Sequence, residues 1–286
     1  MSKTVRDISK WNTNIQYSKM ASDSDGVIVR LAYRGNQSGA IVLDKLAKQH
    51  IENLQKYDCP VGVYFFTNAI TESEAVEEAQ FVIDTIKDWN VELSFPIIID
   101  TEYGSNKHDG RADNLTKTVR TDCILAFVKE INNLGYKAAI YASDSWFIDH
   151  LEYDRIKDVN KWVAAYNATR TIKYVKDNII GHQYTNAEVC QGVGTCDTSE
   201  WYIDINVSAS LLNSNNNTTK KSYNDGDQII LNDTDIYASS TTSKVASTKS
   251  GKFYIWSKVK RNGRVRITTK PEYVKEVGKV TGWINI

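Results

Sequence analysis

The chain has 286 residues, of which 41% are hydrophobic and 24% charged, and its 35 basic and 35 acidic side chains cancel to a formal charge of zero. That length can bury a core large enough for one big domain and a small one. The charge balance argues against a global role on nucleic acid or a membrane surface, and no apolar run approaches the roughly 20 residues of a membrane span.

The N-terminal stretch Met1 to Ser9 has no apolar signal core, so no classical secretory signal is expected. In chain order, strands and helices alternate. Val5 to Ser9 reads as a short strand ending in Asp7-Ile8-Ser9, and Tyr17 to Ser22 as a short helix. Gly26 to Tyr33 is a buried strand carrying Arg30, and Leu43 to Lys56 has the apolar period of a helix. Pro60 to Phe66 is the third strand. Thr71 followed by Glu74 forms a capping box that opens a helix through Ile86.

Phe95-Pro-Ile-Ile-Ile-Asp-Thr-Glu-Tyr-Gly104 is the fourth strand, an apolar run that ends in an acid–x–acid pair. Strand alternation points Asp100 and Glu102 the same way, with Cα atoms about 6.5–7 Å apart. Burial and mutual repulsion tend to raise the pKa of one acid and leave the other ionised. Glycoside hydrolysis needs that division. A long helix over 116–134 stops at Gly135. Strands follow at 137–143, 161–166, 181–184 and 201–206.

Eight strands with helices between the early ones imply a parallel (β/α)8 TIM-like barrel, irregular in its second half, whose active site lies at the C-terminal strand ends. Asp7, Arg30, Tyr64, Phe66, Asp100, Glu102, Tyr141, Trp162, Tyr166, Gln183 and Asp204 gather there. Aromatic faces cover the C–H faces of sugars, while carboxylates bind hydroxyls and move protons. His182 alternates with Gln183 and should point away from the mouth. The acids lack a histidine set with ligand spacing, so neither metal nor cofactor is expected. Cys59 and Cys123 sit among apolar residues as buried thiols, and Cys190 and Cys196 are spaced to close a small disulfide loop.

Six ordered motifs, Asp7-Ile8-Ser9, Gly62 to Phe66, Asp100-Thr-Glu102, Trp162 to Tyr166, Gln183-Tyr184 and Ile203-Asp204, resemble the glycoside hydrolase family 25 lysozymes over roughly residues 1–210. The resemblance implies an irregular (β/α) barrel that cleaves the β-1,4 bond between N-acetylmuramic acid and N-acetylglucosamine in peptidoglycan. It assigns Glu102 as general acid, Asp100 as the acid beside it, and Asp7 and Asp204 as the outer acids. Phe66 after Tyr64-Phe65 departs from a frequent His-Phe pair, and His182 stands where Trp is usual. Both departures bear on subsite shape. The mechanism left open is substrate assistance with Asp100 orienting the acetamido group, Asp100 as direct nucleophile, or inversion.

Residues 213–225 read as a polar linker. Beyond it, residues 226–286 hold short strands at 228–231, 235–238, 251–256, 263–268 and 280–284, and Gly282-Trp-Ile resembles the closing strand of bacterial SH3-like domains. That resemblance implies a small all-β barrel with a cell-wall ligand. The basic stretch with Lys258, Lys260, Arg261, Arg264 and Arg266 suits an anionic wall polymer or a peptide stem. Barrel, linker and binding module together look like a phage endolysin, held in the host cytoplasm until a holin opens the membrane. A bacterial autolysin has the same features, and the alternative reading is a barrel that has lost catalysis and only binds wall glycan.

Overall fold

The computed structural model describes residues 2–205, 224–240, 242, 244–261, 264–276 and 278–285. The chain divides into two compact units, Met1–Leu212 and Asn213–Ile286. The linker expected over 213–225 lies, as far as residue 223, outside the described residues. No helix among the described residues is long and apolar enough to cross a membrane.

The first unit begins with β1 (Lys3–Ile8), α1 (Tyr17–Ser22) and β2 (Gly26–Arg34), followed by a short antiparallel edge strand β3 (Ile41–Leu43) that the sequence reading misses. Next come α2 (Ala47–Gln55), β4 (Val61–Phe66), α3 (Glu72–Asp88), β5 (Ile97–Asp100), α4 (Lys117–Asn133) and β6 (Ala138–Ser143). Helices α5 (Asp144–Asp149) and α6 (Tyr153–Ile156) lead to β7 (Asn160–Ala164), β8 (Ile179–Cys190) and β9 (Gly194–Trp201). The strands run β1-β9-β8-β7-β6-β5-β4-β2, and parallel pairing of β1 with β2 closes the ring. Local signals explain the helix starts. Thr71 Oγ1 accepts from the Glu74 amide, and Glu74 Oε2 accepts from the Ile70 amide at 2.9 Å.

The last strand corrects the sequence reading. It spans 194–201 rather than 201–206, and it runs antiparallel to both β8 and β1. Residue 206 lies outside the described residues. The cause is the turn between β8 and β9. Gly192 and Gly194 adopt φ of +81° and +101°, where side chains are strained, so the chain reverses within a few residues. The Cys190–Cys196 stretch is therefore the end of a β-hairpin. All four cysteines are buried free thiols, so no disulfide closes it.

Two apolar clusters build this unit. The larger lies between the sheet and its helices and includes Val29, Val63, Ile83, Ile99, Phe127 and Ile140. The smaller fills the barrel interior with Val5, Ile28, Phe95, Ile98, Trp162 and Trp201. Phe95 and Trp201 meet edge to face with ring centroids 5.2 Å apart. They fit because a Cβ on Gly62 would stand 2.8 Å from Phe95, and one on Gly181 would stand 2.4 Å from the Trp201 ring. The lower barrel is thus packed solid, and only the C-terminal mouth of the parallel strands is open.

The second unit is a closed antiparallel barrel of β10 (Gln228–Tyr237), β11 (Val245–Arg261), β12 (Arg264–Thr268) and β13 (Gly282–Asn285), with a 3-10 turn at Pro271–Tyr273. Ile229, Ile236, Phe253, Ile255, Val265, Ile267 and Ile284 form its core. The first two expected strands merge into β10 across a register shift between Leu231 and Thr234.

Candidate active site

β5 ends at Asp100, which has strand neighbours on both sides: Phe66 of β4 and Tyr141 of β6. Thr101 still donates to the Tyr141 carbonyl at 3.1 Å before the chain leaves the sheet. Glu102 therefore sits on the first bend of a loop, not on the strand as alternation suggests. Asp113 pins that loop by accepting from the Gly104 and Gly110 amides at 2.7 and 2.9 Å. Asp100 is 4% exposed, whereas Glu102 reaches the open mouth.

The cavity above β5 measures about 320 Å³, and Asp7, Tyr64, Asp100, Glu102, Tyr141, Trp162, Tyr166 and Gln183 line it. Eight of the eleven side chains expected at the mouth are thus brought together. Two more residues, Asn186 and Asp197, complete the wall. Arg30 and Phe66 instead line an adjacent hollow of about 390 Å³. Asp204 belongs to neither. Its side chain is 82% exposed and pairs with Lys3 at 3.4 Å. Asp197 replaces it as the fourth acid, because β9 runs antiparallel one element earlier and sets Asp197 opposite Asp7 in the ladder.

The four acids form two pairs. Burial raises Asp7 well above the ordinary aspartate range, and the Asp197 charge and a hydrogen bond to Asp197 push it further. Burial likewise raises Asp100 well above that range, with the Glu102 charge and a hydrogen bond to Glu102 adding to it. Glu102 and Asp197 are raised by burial too, but the bonds from Asp100 and Asp7 hold them back. All four acids are thus raised, Asp7 and Asp100 most strongly. One oxygen of Asp100, Oδ1, is buried without a hydrogen-bond partner.

Gln183 ties the pairs to the aromatic wall. Its Nε2 donates to Asp7 Oδ2 at 2.7 Å, while its Oε1 accepts from Tyr141 at 2.7 Å and from Tyr166. Trp162 packs on Tyr141 with centroids 4.6 Å apart and donates Nε1 to Ser199 at 2.9 Å. Arg30 is held by Asp44 at 2.8 Å, and its charge opposes the rise at Asp100. His182 is buried against the Ala165 carbonyl at 3.1 Å. Among the described residues no group of three or more His, Cys, Asp or Glu is arranged to hold a metal ion. The arrangement can hold and transfer a proton beside an aromatic-walled slot.

In the second unit, Arg264 is committed to structure, bonding Asn285 and the Ser239 and Thr242 carbonyls. Arg266 lies over the Trp256 and Trp283 rings at 4.1 and 5.3 Å.

Comparison with known proteins agrees with this geometry. The family model described as Glycosyl hydrolases family 25 matches residues 6–193. The modular autolysin LytC from Streptococcus pneumoniae, solved in complex with a synthetic peptidoglycan ligand, is 30% identical with a TM-score of 0.62. The match covers 70% of this chain but only 47% of that one, so the chain spans about half the length of that autolysin. The catalytic domain of an endolysin from a Listeria monocytogenes bacteriophage is 25% identical, with a TM-score of 0.56 over 72% of this chain and 95% of that one. The Clostridium perfringens spore cortex lytic enzyme SleM is 16% identical, with a TM-score of 0.60 over 93% of this chain and 91% of that one, and shows a shared fold. No curated protein sequence matches the chain.

Proposed function

The chain belongs to the family 25 glycosyl hydrolases, and from that premise we propose that it is a peptidoglycan hydrolase of the muramidase type. Its bond would be the β-1,4 link between N-acetylmuramic acid and N-acetylglucosamine. The observation that carries this reading is the Asp100–Glu102 pair, two carboxyls with raised pKa values at the mouth of an aromatic-walled cavity. The autolysin solved with a peptidoglycan ligand supports the substrate class.

The paired acids suggest how the proton travels. In the empty cleft Asp100 holds it. A 2-acetamido sugar brings an N–H that favours the ionised form of Asp100, and its unpartnered Oδ1 is free to accept such a donor. The proton then passes along the existing hydrogen bond to Glu102, which delivers it to the leaving glycosidic oxygen. Asp100, now ionised, orients the acetamido group while its carbonyl oxygen attacks the anomeric carbon, as in substrate-assisted hydrolases. Glu102 next takes a proton from water, and configuration is retained. The Asp197 charge helps keep Glu102 protonated and faces the oxocarbenium-like transition state.

The second unit would hold the wall as an SH3-like module, with the Trp256–Arg266–Trp283 stack as part of its surface. The matched endolysin domain supports a lysis role for the whole chain.

The test is mass spectrometry of purified peptidoglycan digested by wild type and by Glu102→Gln. Reducing-end muramic acid from wild type alone is the expected result. Reducing-end glucosamine would make the protein a glucosaminidase. No cleavage by either, with binding intact, would leave a wall-binding protein.

A further inference from the structure

The hollow beside the acid cavity has a different chemistry. Lys10, Trp11, Arg30, Tyr33, Asn68 and Gly104 are among the residues that line its roughly 390 Å³. The acid cavity carries four carboxyls and no cation on its walls. In the hollow, the Lys10 ammonium lies 4.9 Å from the Trp11 ring centroid and 4.8 Å from that of Tyr33, with the Tyr33 hydroxyl at 3.5 Å. Among the described residues no carboxylate pairs with it, since Asp44 is taken by Arg30 and by the Lys10 backbone amide. Trp11 is 76% exposed, an unusual place for so large an apolar side chain.

Two buried polar atoms on the same wall lack partners. Arg30 Nη2 is a donor without an acceptor, and Asn68 Oδ1 is an acceptor without a donor. Asn68 is 1% exposed and is held in place by its own amide bond to the Arg34 carbonyl at 2.8 Å. Gly104 keeps space beside its oxygen, because a Cβ there would stand 2.8 Å from Oδ1. Buried orphans of both kinds are costly, and a ligand that supplies the missing partners removes the cost.

We propose that this hollow is a subsite for an acidic peptide branch of the substrate, anchored by Lys10. A peptide offers a carboxylate for Lys10 and an apolar stem for the Trp11 face. In the intact substrate the lactyl carboxyl of muramic acid is bound up in the amide to the stem, so the negative charge on this branch belongs to the peptide. The inference rests on the muramidase reading, in which muramic acid carries a peptide stem beside the scissile bond. On the opposite flank, the cavity beyond Glu102 is walled by Tyr103, His108, Trp146 and His150. One flank is thus fitted for an anionic branch and the other for neutral sugar, which gives the cleft a direction.

The experiment compares intact peptidoglycan with the same glycan stripped of stems by an amidase and its freed lactyl carboxyls capped as methyl esters, for wild type, Lys10→Met and Lys10→Arg. Lys10→Met keeps the apolar stem and loses the charge. Its kcat/KM on stem-bearing glycan should fall about tenfold, through KM, the worth of one charge-assisted hydrogen bond. Its rate on stripped glycan should match wild type, and Lys10→Arg should recover most of the loss. An equal loss on both glycans, or none on either, overturns the subsite. If wild type releases no reducing ends from either glycan, the muramidase reading fails instead. Binding then still decides the subsite. The free peptide L-alanyl-D-isoglutamyl-L-lysine should quench tryptophan fluorescence of wild type but not of Lys10→Met, and equal responses would overturn it.

Discussion

Asp7 and Asp197 stand opposite each other across the antiparallel ladder of the first and last barrel strands, and burial with the Asp197 charge raises the Asp7 carboxyl well above the ordinary aspartate range. The outer wall of the cleft is therefore a cross-strand pair of like charges. Such a pair is unfavourable unless one member stays protonated.

Glu102→Gln should lower kcat by about 10²–10⁴, the usual contribution of a positioned proton donor. Asp204→Asn should change kcat/KM by less than about twofold, because its exposed pair with Lys3 carries little energy. Reducing-sugar release on purified peptidoglycan measures both. A large loss in Asp204→Asn would restore it to the site and displace Asp197.

The Asp197 charge helps raise the pKa of Glu102. Removing it in Asp197→Asn should lower that pKa, so the acid loses its proton at a lower pH. The alkaline limb of the kcat profile should shift toward acid. A profile superimposable on wild type would take Asp197 out of the proton relay.

Asp100 should weaken the fold at neutral pH. Its folded-state pKa lies above the unfolded value of about 4, so between those values the folded state holds a proton that the unfolded state has released. Stability contributed by this group then falls as pH rises through the window. Asp100→Asn has no such proton. Its melting temperature should exceed that of wild type at pH 7, and the gap should shrink toward pH 4. A gap independent of pH would mean that ionisation is not the cause.

Gln183→Leu is close in size but leaves the Tyr141 and Tyr166 hydroxyls without their acceptor and Asp7 without its donor. A loss of about 1–3 kcal/mol in denaturant unfolding is expected, the cost of orphaning buried polar groups. A loss within the error of the measurement would show that water takes over these partners.

Most of the barrel is legible in the sequence because a buried parallel strand needs an unbroken apolar run, and Gly26 to Tyr33, Pro60 to Phe66 and Phe95 to Asp100 each supply one. Such runs also locate their own C-terminal ends, which is why Asp7, Tyr64, Asp100, Tyr141, Trp162 and Gln183 can be placed at the mouth without coordinates. Strand β9 escapes the same reasoning. Gly-Thr-Cys-Asp-Thr-Ser-Glu-Trp reads as a polar loop, because its buried positions Thr198 and Ser199 are satisfied by hydrogen bonds to Arg6 and Trp162 rather than by apolar contact. The signal present was the alternation Asp197, Ser199, Trp201, in step with Asp7, Val5 and Lys3 opposite. Arg30 and Phe66 are read onto the right strands but into the wrong hollow, since a strand end does not say which side of it a long side chain will line.

The last strand in sequence, β9, pairs with the first, β1, and the bond from Arg6 to Thr198 spans 192 positions of sequence. A protein synthesised from its N-terminus has made Asp7 first and Asp197 almost last among its barrel residues. Until that final hairpin arrives, Asp7 has no opposing acid, the Tyr141 and Tyr166 hydroxyls lack their Gln183 acceptor, and β1 has one open edge. The cleft thus comes into being in one late step of chain closure. A break ahead of the last hairpin takes Gln183 and Asp197 out of the cleft together and leaves β1 and β7 each with an unpaired edge.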